Sequence, residues 1–150
     1  MASSDPLVFQ SKPHEGVFEG YATLFYCVDL SGDTLMPGAF AETLKRRGTR
    51  DIRLLWQHDP DQPLGRWLRL EEDSYGLKVR GALNLRIQRA AELFTLLHDR
   101  SVDGLSIGFR SEKANRDQRT GGRYIHKLDL WEISLVTFPM LPNARISRTE

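Results

Sequence analysis

The chain has 150 residues, 40% hydrophobic and 27% charged, the balance of one ordinary soluble domain. It lacks both the polar bias of disorder and an apolar run long enough to span a bilayer, and its net charge of +1, with both signs mixed along the chain, removes the basic face that nucleic-acid binding needs. The single cysteine, Cys27, excludes an internal disulfide and reads as core, and MASSDPLVFQSKPHEG has neither the basic nor the apolar stretch of a secretory signal, so the expected home is the cytoplasm.

Residues 1–15 read as a loose end. Val17 to Tyr26 are β-branched, aromatic or small, which predicts a strand bent or bulged at Gly20. DLSGDTLMPGAF is turn chemistry, with Pro37 suited to a first helical turn. Asp29 and Asp33 in it do not meet the spacing of a calcium loop. A short helix follows, with Phe40, Ala41 and Leu44 on one face and a stop near Gly48 after Lys45, Arg46 and Arg47. DIRLLWQH predicts a buried strand with His58 at its end, and the prolines and glycine of DPDQPLG are expected to stop the ladder there.

GLKVRGALNL alternates, with Leu77, Val79, Gly81, Leu83 and Leu85 pointing one way, and predicts a half-buried strand. Ile87, Ala90, Ala91, Phe94 and Leu97, with Leu93 and Leu96 beside them, recur with helical period. After GLSIGF, the polar KANRDQRTGG reads as a hairpin or mobile loop. YIHKLDLWEISLVTF is strand-like up to Pro139, and residues 147–150 read as a second loose end. Strands with two helices inserted predict an α+β fold: a mostly antiparallel, β-barrel-like core with two or more flanking helices, in a single domain over 1–150.

Around Ser106, strand parity puts Leu105, Ile107 and Phe109 on one face and Gly104, Ser106 and Gly108 on the other. Glycines two residues to either side leave the hydroxyl without same-strand neighbours, so a peptide backbone can approach it; a serine packed in a Gly-containing strand is the plainer account. The segment does not match the G-x-S-x-G nucleophile elbow. Of four histidines, His14 lies in the loose N-terminal segment, His98 ends a helix where its cationic form suits the dipole, and His126 reads as a surface or hairpin residue. His58 follows LLW and precedes a Pro-bounded loop, which predicts emergence from the core at a cleft rim, although a lone histidine is more often structural than catalytic.

Glu132, inside LDLWEISLVTF, needs a partner to offset the burial of its charge. An imidazole whose tautomer it fixes would serve, and so would one of the many arginines. Asp129, assigned to the opposite face with Trp131 and Ile133, is the weaker candidate. No zinc-ligand spacing, P-loop or dinucleotide fingerprint is present, so no metal or cofactor is expected.

Taken together, GYATLF, VDLSGDTLMPGAF, LLWQHDPDQPLGRW, GLKVRGAL, VDGLSIGF and DLWEISLVTFPMLPNARI, in that order from Gly16 to Ile146, resemble the prohead (capsid maturation) proteases of tailed phages and phage-like particles, relatives of the herpesvirus assemblin serine proteases. The resemblance implies Ser106 as nucleophile, His58 as base and Glu132 as third member, where the herpesvirus relatives place a second histidine. It implies a serine endopeptidase that cuts scaffold and the N-terminal segment of the major capsid protein inside the precursor capsid in the host cytoplasm. Self-cleavage is implied as well, with the tail after Ile146 a processed or truncated end, and so is a homodimer. Where the herpesvirus relatives have an arginine pair at the oxyanion site, this chain resembles them only loosely, with TFPMLPNAR, and backbone N–H groups near Ser106 or after Pro139 are the candidate oxyanion donors. Two other readings stay open: a catalytically silent capsid-assembly or scaffolding module with this fold, and an esterase or amidase acting on small molecules.

Overall fold

The computed structural model describes residues 15–150; His14 and nearly all of the expected loose N-terminal end lie outside the described residues. Within them, the chain runs β1 (Val17–Leu24), β2 (Asp33–Leu35), α1 (Ala41–Arg47), β3 (Arg53–Trp56), β4 (Asp59–Glu72), β5 (Gly76–Leu83), α2 (Gln88–His98), β6 (Gly104–Arg116), β7 (Arg123–Val136) and β8 (Ile146–Thr149). The strands join in one sheet, β2-β7-β3-β4-β5-β1-β8, with β6 on β7. The sheet curls until β6 meets the segment before β8, where the Leu105 N–H donates to Ala144 O at 2.9 Å and the Ile146 N–H to Asp103 O at 2.8 Å. This is the barrel-like α+β architecture that the order of elements predicts. No helix of the described residues is long and apolar enough to cross a membrane.

Most pairings are antiparallel, but β7 takes β2 and β3 in parallel on one side and β6 antiparallel on the other. The β2–α1–β3 crossover is the reason: a helical connection returns the chain in the same direction, which a tight hairpin cannot do. The long β7 thereby becomes the strand against which three other segments are registered. Inside the curl, Phe18 packs edge-on against Trp67 with ring centroids 5.6 Å apart, among fully buried Leu54, Leu77, Leu105 and Leu130. Burial of this kind contributes roughly 25 cal/mol per Å² of apolar surface.

Several expectations give way to the structure. Cys27 is only half-buried, because β1 ends at Leu24 and the chain turns through Tyr26, at φ 64°, before the cysteine. DPDQPLG does not stop the ladder. β4 starts at Asp59, and Pro60 and Pro63 fall where β4 pairs with β3 alone, with register shifts on both sides of Leu55, while β5 joins only from Gly65. Proline is tolerated in a strand at such one-sided, bulged positions because no ladder bond is lost. The turn-rich DLSGDTLM contains the short β2. The buried stripe of α2 is Ala90, Leu93 and Leu97, with Ile87 exposed at its N-cap.

KANR continues β6, and the turn that follows is held by Asp117, whose Oδ1 accepts the Arg119 N–H at 2.9 Å and whose Oδ2 accepts the Tyr124 hydroxyl at 3.0 Å. The excursion is therefore an ordered hairpin. Residues 147–149 are not a loose end either: β8 pairs with the free edge of β1, and Arg148 binds Glu19 at 2.8 Å and Glu150 at 3.0 Å. An unpaired edge of β1 would leave backbone donors and acceptors without partners, and β8 supplies them.

Candidate active site

Trp56 and Asp59 face each other across the β3–β4 ladder, so Gln57 and His58 alone make the turn, with φ of 54° and 61°. Left-handed backbone at both central positions is the two-residue hairpin geometry usually given to Asn and Gly, and each larger residue held there costs on the order of 1–3 kcal/mol. Compensating contacts all run to β7 and the residue after it. The Gln57 N–H donates to Leu135 O at 2.9 Å. The Gln57 side chain accepts the Thr137 N–H at 3.1 Å and donates to its hydroxyl at 3.0 Å. The His58 N–H donates to Ser134 Oγ at 2.9 Å.

The His58 ring lies with Nδ1 2.5 Å from Glu132 Oε2. The other carboxylate oxygen, Oε1, accepts the Ser134 hydroxyl at 2.7 Å. Parallel pairing of Arg53 with Glu132 and of Leu55 with Ser134 sets the turn that carries His58 just beyond the carboxylate. Hydrogen bonding to Glu132 raises the pKa of His58 above the ordinary 6.5, against the opposing effect of burial, and the charge of Glu132 adds to the rise.

β6 brings Ser106 opposite Ser134 on the other side of β7. Ser106 is buried at 6% exposure and makes no side-chain hydrogen bond among the described residues. It lines a cavity of about 160 Å³ together with His58, Ile107, Asp33, Met140 and Leu141. A larger cavity, of about 500 Å³, adjoins it at Ser31 and runs past Tyr26, Val28 and the β6–β7 turn.

The room beside Ser106 left by its flanking glycines is filled from within the chain. A Cβ on Gly108 would strike the Glu132 carboxylate, and one on Gly104 would meet Val136 O and the Pro139 ring. Gly108 thus serves the carboxylate rather than an incoming backbone.

Asp129 keeps Trp131 beside it, its carboxylate accepting the indole N–H, but it does not share a face with Ile133. The register shifts between Gly108 and Phe109, whose partners are Glu132 and Leu130, so Trp131 is the extra, half-exposed residue of a bulge while Ile133 is fully buried. Asp129 is the carboxylate that takes the arginines: Arg47 Nε and Nη2 donate at 2.9 and 3.0 Å, and Arg46 Nη2 at 2.7 Å. The Trp131 indole adds a bond at 2.9 Å. These donors, Arg47 foremost, hold Asp129 far below the usual carboxylate range.

The remaining polar candidates are committed elsewhere. Asp33 is bound by Arg123 through two bonds of 2.8 and 2.9 Å, and Asp29 Oδ1 accepts the N–H groups of Ser31 and Asp33 within its own turn. His126 Nε2 meets Asn115 Oδ1 at 2.5 Å on the hairpin surface, and His98 Nδ1 meets Thr149 Oγ1 at 2.8 Å. Ser134, which strand parity puts on the Glu132 face without a role, and Gln57 are the polar groups of the site that the sequence reading does not assign. A polar residue two positions beyond Glu132 in an apolar strand was the available signal for Ser134; Gln57 gave none.

Comparison with known proteins places this geometry in context. The family model described as caudovirus prohead serine protease matches residues 6–150. The prohead protease of Enterobacteria phage HK97 is 36% identical over 141 residues, covering 93% of this chain and 62% of that protein. That of Escherichia phage T5 is 31% identical over 132 residues, covering 86% and 61%. The chain therefore spans about three fifths of the length of these two relatives.

Among solved structures, the capsid assembly protease of bacteriophage T4 superposes with a TM-score of 0.59 at 12% identity, covering 80% of each chain. KSHV protease, solved in complex with a hexapeptide phosphonate inhibitor, gives 0.55 at 14%, covering 87% of this chain and 63% of the other. At these identities the structural likeness concerns the fold. The family model spans nearly the whole sequence and the HK97 relative adds identity above 30%, so the chain belongs to the caudovirus prohead serine protease family.

Proposed function

We propose that this chain is a serine endopeptidase of phage head maturation, with Ser106 as nucleophile, His58 as general base and Glu132 as the carboxylate that orients His58. The observation that carries the reading is the 2.5 Å contact of His58 Nδ1 with Glu132, made at the cavity that Ser106 lines. With Nδ1 engaged, Nε2 is the nitrogen left to take the Ser106 proton. Ser106 Oγ attacks the peptide carbonyl, His58 returns the proton to the leaving amine, and water releases the acyl group by the same route. Glu132 stabilises the imidazolium formed at each transfer, which the raised pKa of His58 supports. No metal or cofactor enters these steps.

The two phage relatives are named prohead proteases, which fits the substrates that the family resemblance implies: scaffold and the N-terminal segment of the major capsid protein, cut inside the precursor capsid in the host cytoplasm. Self-cleavage and a homodimer belong to the same proposal. A serine-directed fluorophosphonate probe tests the chemistry. Labelling at Ser106, lost in Ser106→Ala and His58→Gln, is the expected result. Unlabelled, folded protein would instead favour a silent assembly module. Mass spectrometry of capsid proteins co-expressed with wild type and with Ser106→Ala identifies the cut sites.

A further inference from the structure

We propose that Ser134 is a positioning residue that ties the strained His58 turn to the carboxylate facing the His58 ring; this rests on the protease reading above. Ser134 is fully buried, and its neighbours in register are Leu55 on β3 and Ser106 on β6, so it sits on the strand between the base-bearing turn and the nucleophile. A hydroxyl has one proton to donate and lone pairs to accept. The His58 N–H can only donate, so Ser134 Oγ accepts it at 2.9 Å and its own proton goes to Glu132 Oε1 at 2.7 Å. Glu132 Oε2 then meets His58 Nδ1 at 2.5 Å, which closes a ring of three hydrogen bonds from the backbone of His58 to its own imidazole.

This ring fixes two freedoms at once. The left-handed backbone of His58, at φ 61°, is a conformation that a non-glycine residue leaves readily unless its N–H is held. The Glu132 carboxylate could otherwise rotate away from the imidazole. The reciprocal bonds between Gln57 and Thr137 hold the turn but do not reach the carboxylate, so among the described residues Ser134 alone joins the two.

The test compares wild type, Ser134→Ala and Ser134→Thr by NMR titration of the His58 ring, by the rate of fluorophosphonate labelling at Ser106 across pH, and by thermal melting. In Ser134→Ala the His58 pKa should fall toward its ordinary 6.5 and the acid limb of the labelling profile should move down with it. The limiting rate should drop about 10- to 100-fold, the size of effect seen when a metal-ligating histidine loses its orienting partner, with probe affinity unchanged. Ser134→Thr, which keeps the hydroxyl, should restore both. An Ala variant that melts lower yet keeps the wild-type His58 pKa and limiting rate per folded molecule would overturn the proposal, as would a Thr variant as impaired as Ala. If Ser134→Ala does not fold, Ser134→Cys, similar in size but a weaker donor, should lie between wild type and the expected Ala values; wild-type values would overturn the role. Failure of wild type to label would overturn the protease reading instead, and the His58 pKa comparison would still decide the role of Ser134.

Discussion

Asp129 and Glu132 lie three residues apart on β7, and both are carboxylates with little solvent exposure, yet their surroundings differ in kind. Asp129 faces two guanidinium groups and an indole N–H; Glu132 faces an imidazole and a hydroxyl. A guanidinium never gives up its proton in this setting, so Asp129 is one half of a permanent ion pair that locks α1 onto the sheet. An imidazole titrates near neutrality, so the partner of Glu132 can gain and lose a charge during a reaction. The bulge at Trp131 lies between the two. On the proposed reading, what sets Glu132 apart is that its partner can change charge, not how deeply it is buried.

The largest expected effects lie on the Glu132 side. Ser106→Ala should lower turnover by about a million-fold with the fold intact, and His58→Gln nearly as much, because the pair moves one proton together. The double variant should match either single one in a turnover assay; losses that multiplied would reassign the base.

Glu132→Gln keeps the shape and one hydrogen-bond acceptor but removes the charge that stabilises protonated His58, so turnover should fall on the order of ten-thousand-fold with substrate binding little changed. No arginine pairs with Glu132 among the described residues, so the melting temperature should move little. Normal turnover per folded molecule would remove Glu132 from the mechanism.

Asp129→Asn is the mirror experiment. It leaves Arg47 facing a neutral amide and should cost about 2–4 kcal/mol, at or below the range for breaking a buried ion pair because Arg46 is half exposed. Denaturant unfolding measures that loss, and turnover per folded molecule should stay at the wild-type value. The depressed pKa of Asp129 means its stabilisation is present above the ordinary carboxylate range and is lost as pH falls through its folded value.

The smallest effect is in pH, where His58 should carry activity and stability in opposite directions. Activity needs the neutral ring and rises as pH passes through a His58 pKa above 6.5. Stability from protonated His58 beside Glu132 is fully present below the unfolded pKa and is lost as pH rises through the folded one. The ring is 41% exposed, so solvent screening keeps the associated shift in melting temperature within about 3 °C. Glu132→Gln should abolish that shift, as melting curves across pH would show.

Much of this protein was legible in local pattern. The alternation of GLKVRGALNL, the periodicity ending in Leu97 and the greasy run around Glu132 each report one element's buried face, because side-chain direction follows from backbone repeat alone. The pull toward Ser106, His58 and Glu132 came from residue type and resemblance, and the structure brings Ser106 and His58 to one cavity with Glu132 on the His58 ring. What no local pattern held was everything set between strands. The parallel register of β3 on β7 chose His58 for Glu132, and α1 chose its arginines for Asp129. The bulge at Trp131 broke the parity that had grouped Asp129 with Ile133. The left-handed turn at Gln57 and His58 and the hydroxyl of Ser134 beneath it depend on residues about 75 to 80 positions apart in sequence, where only closure of the sheet can set a hydrogen bond.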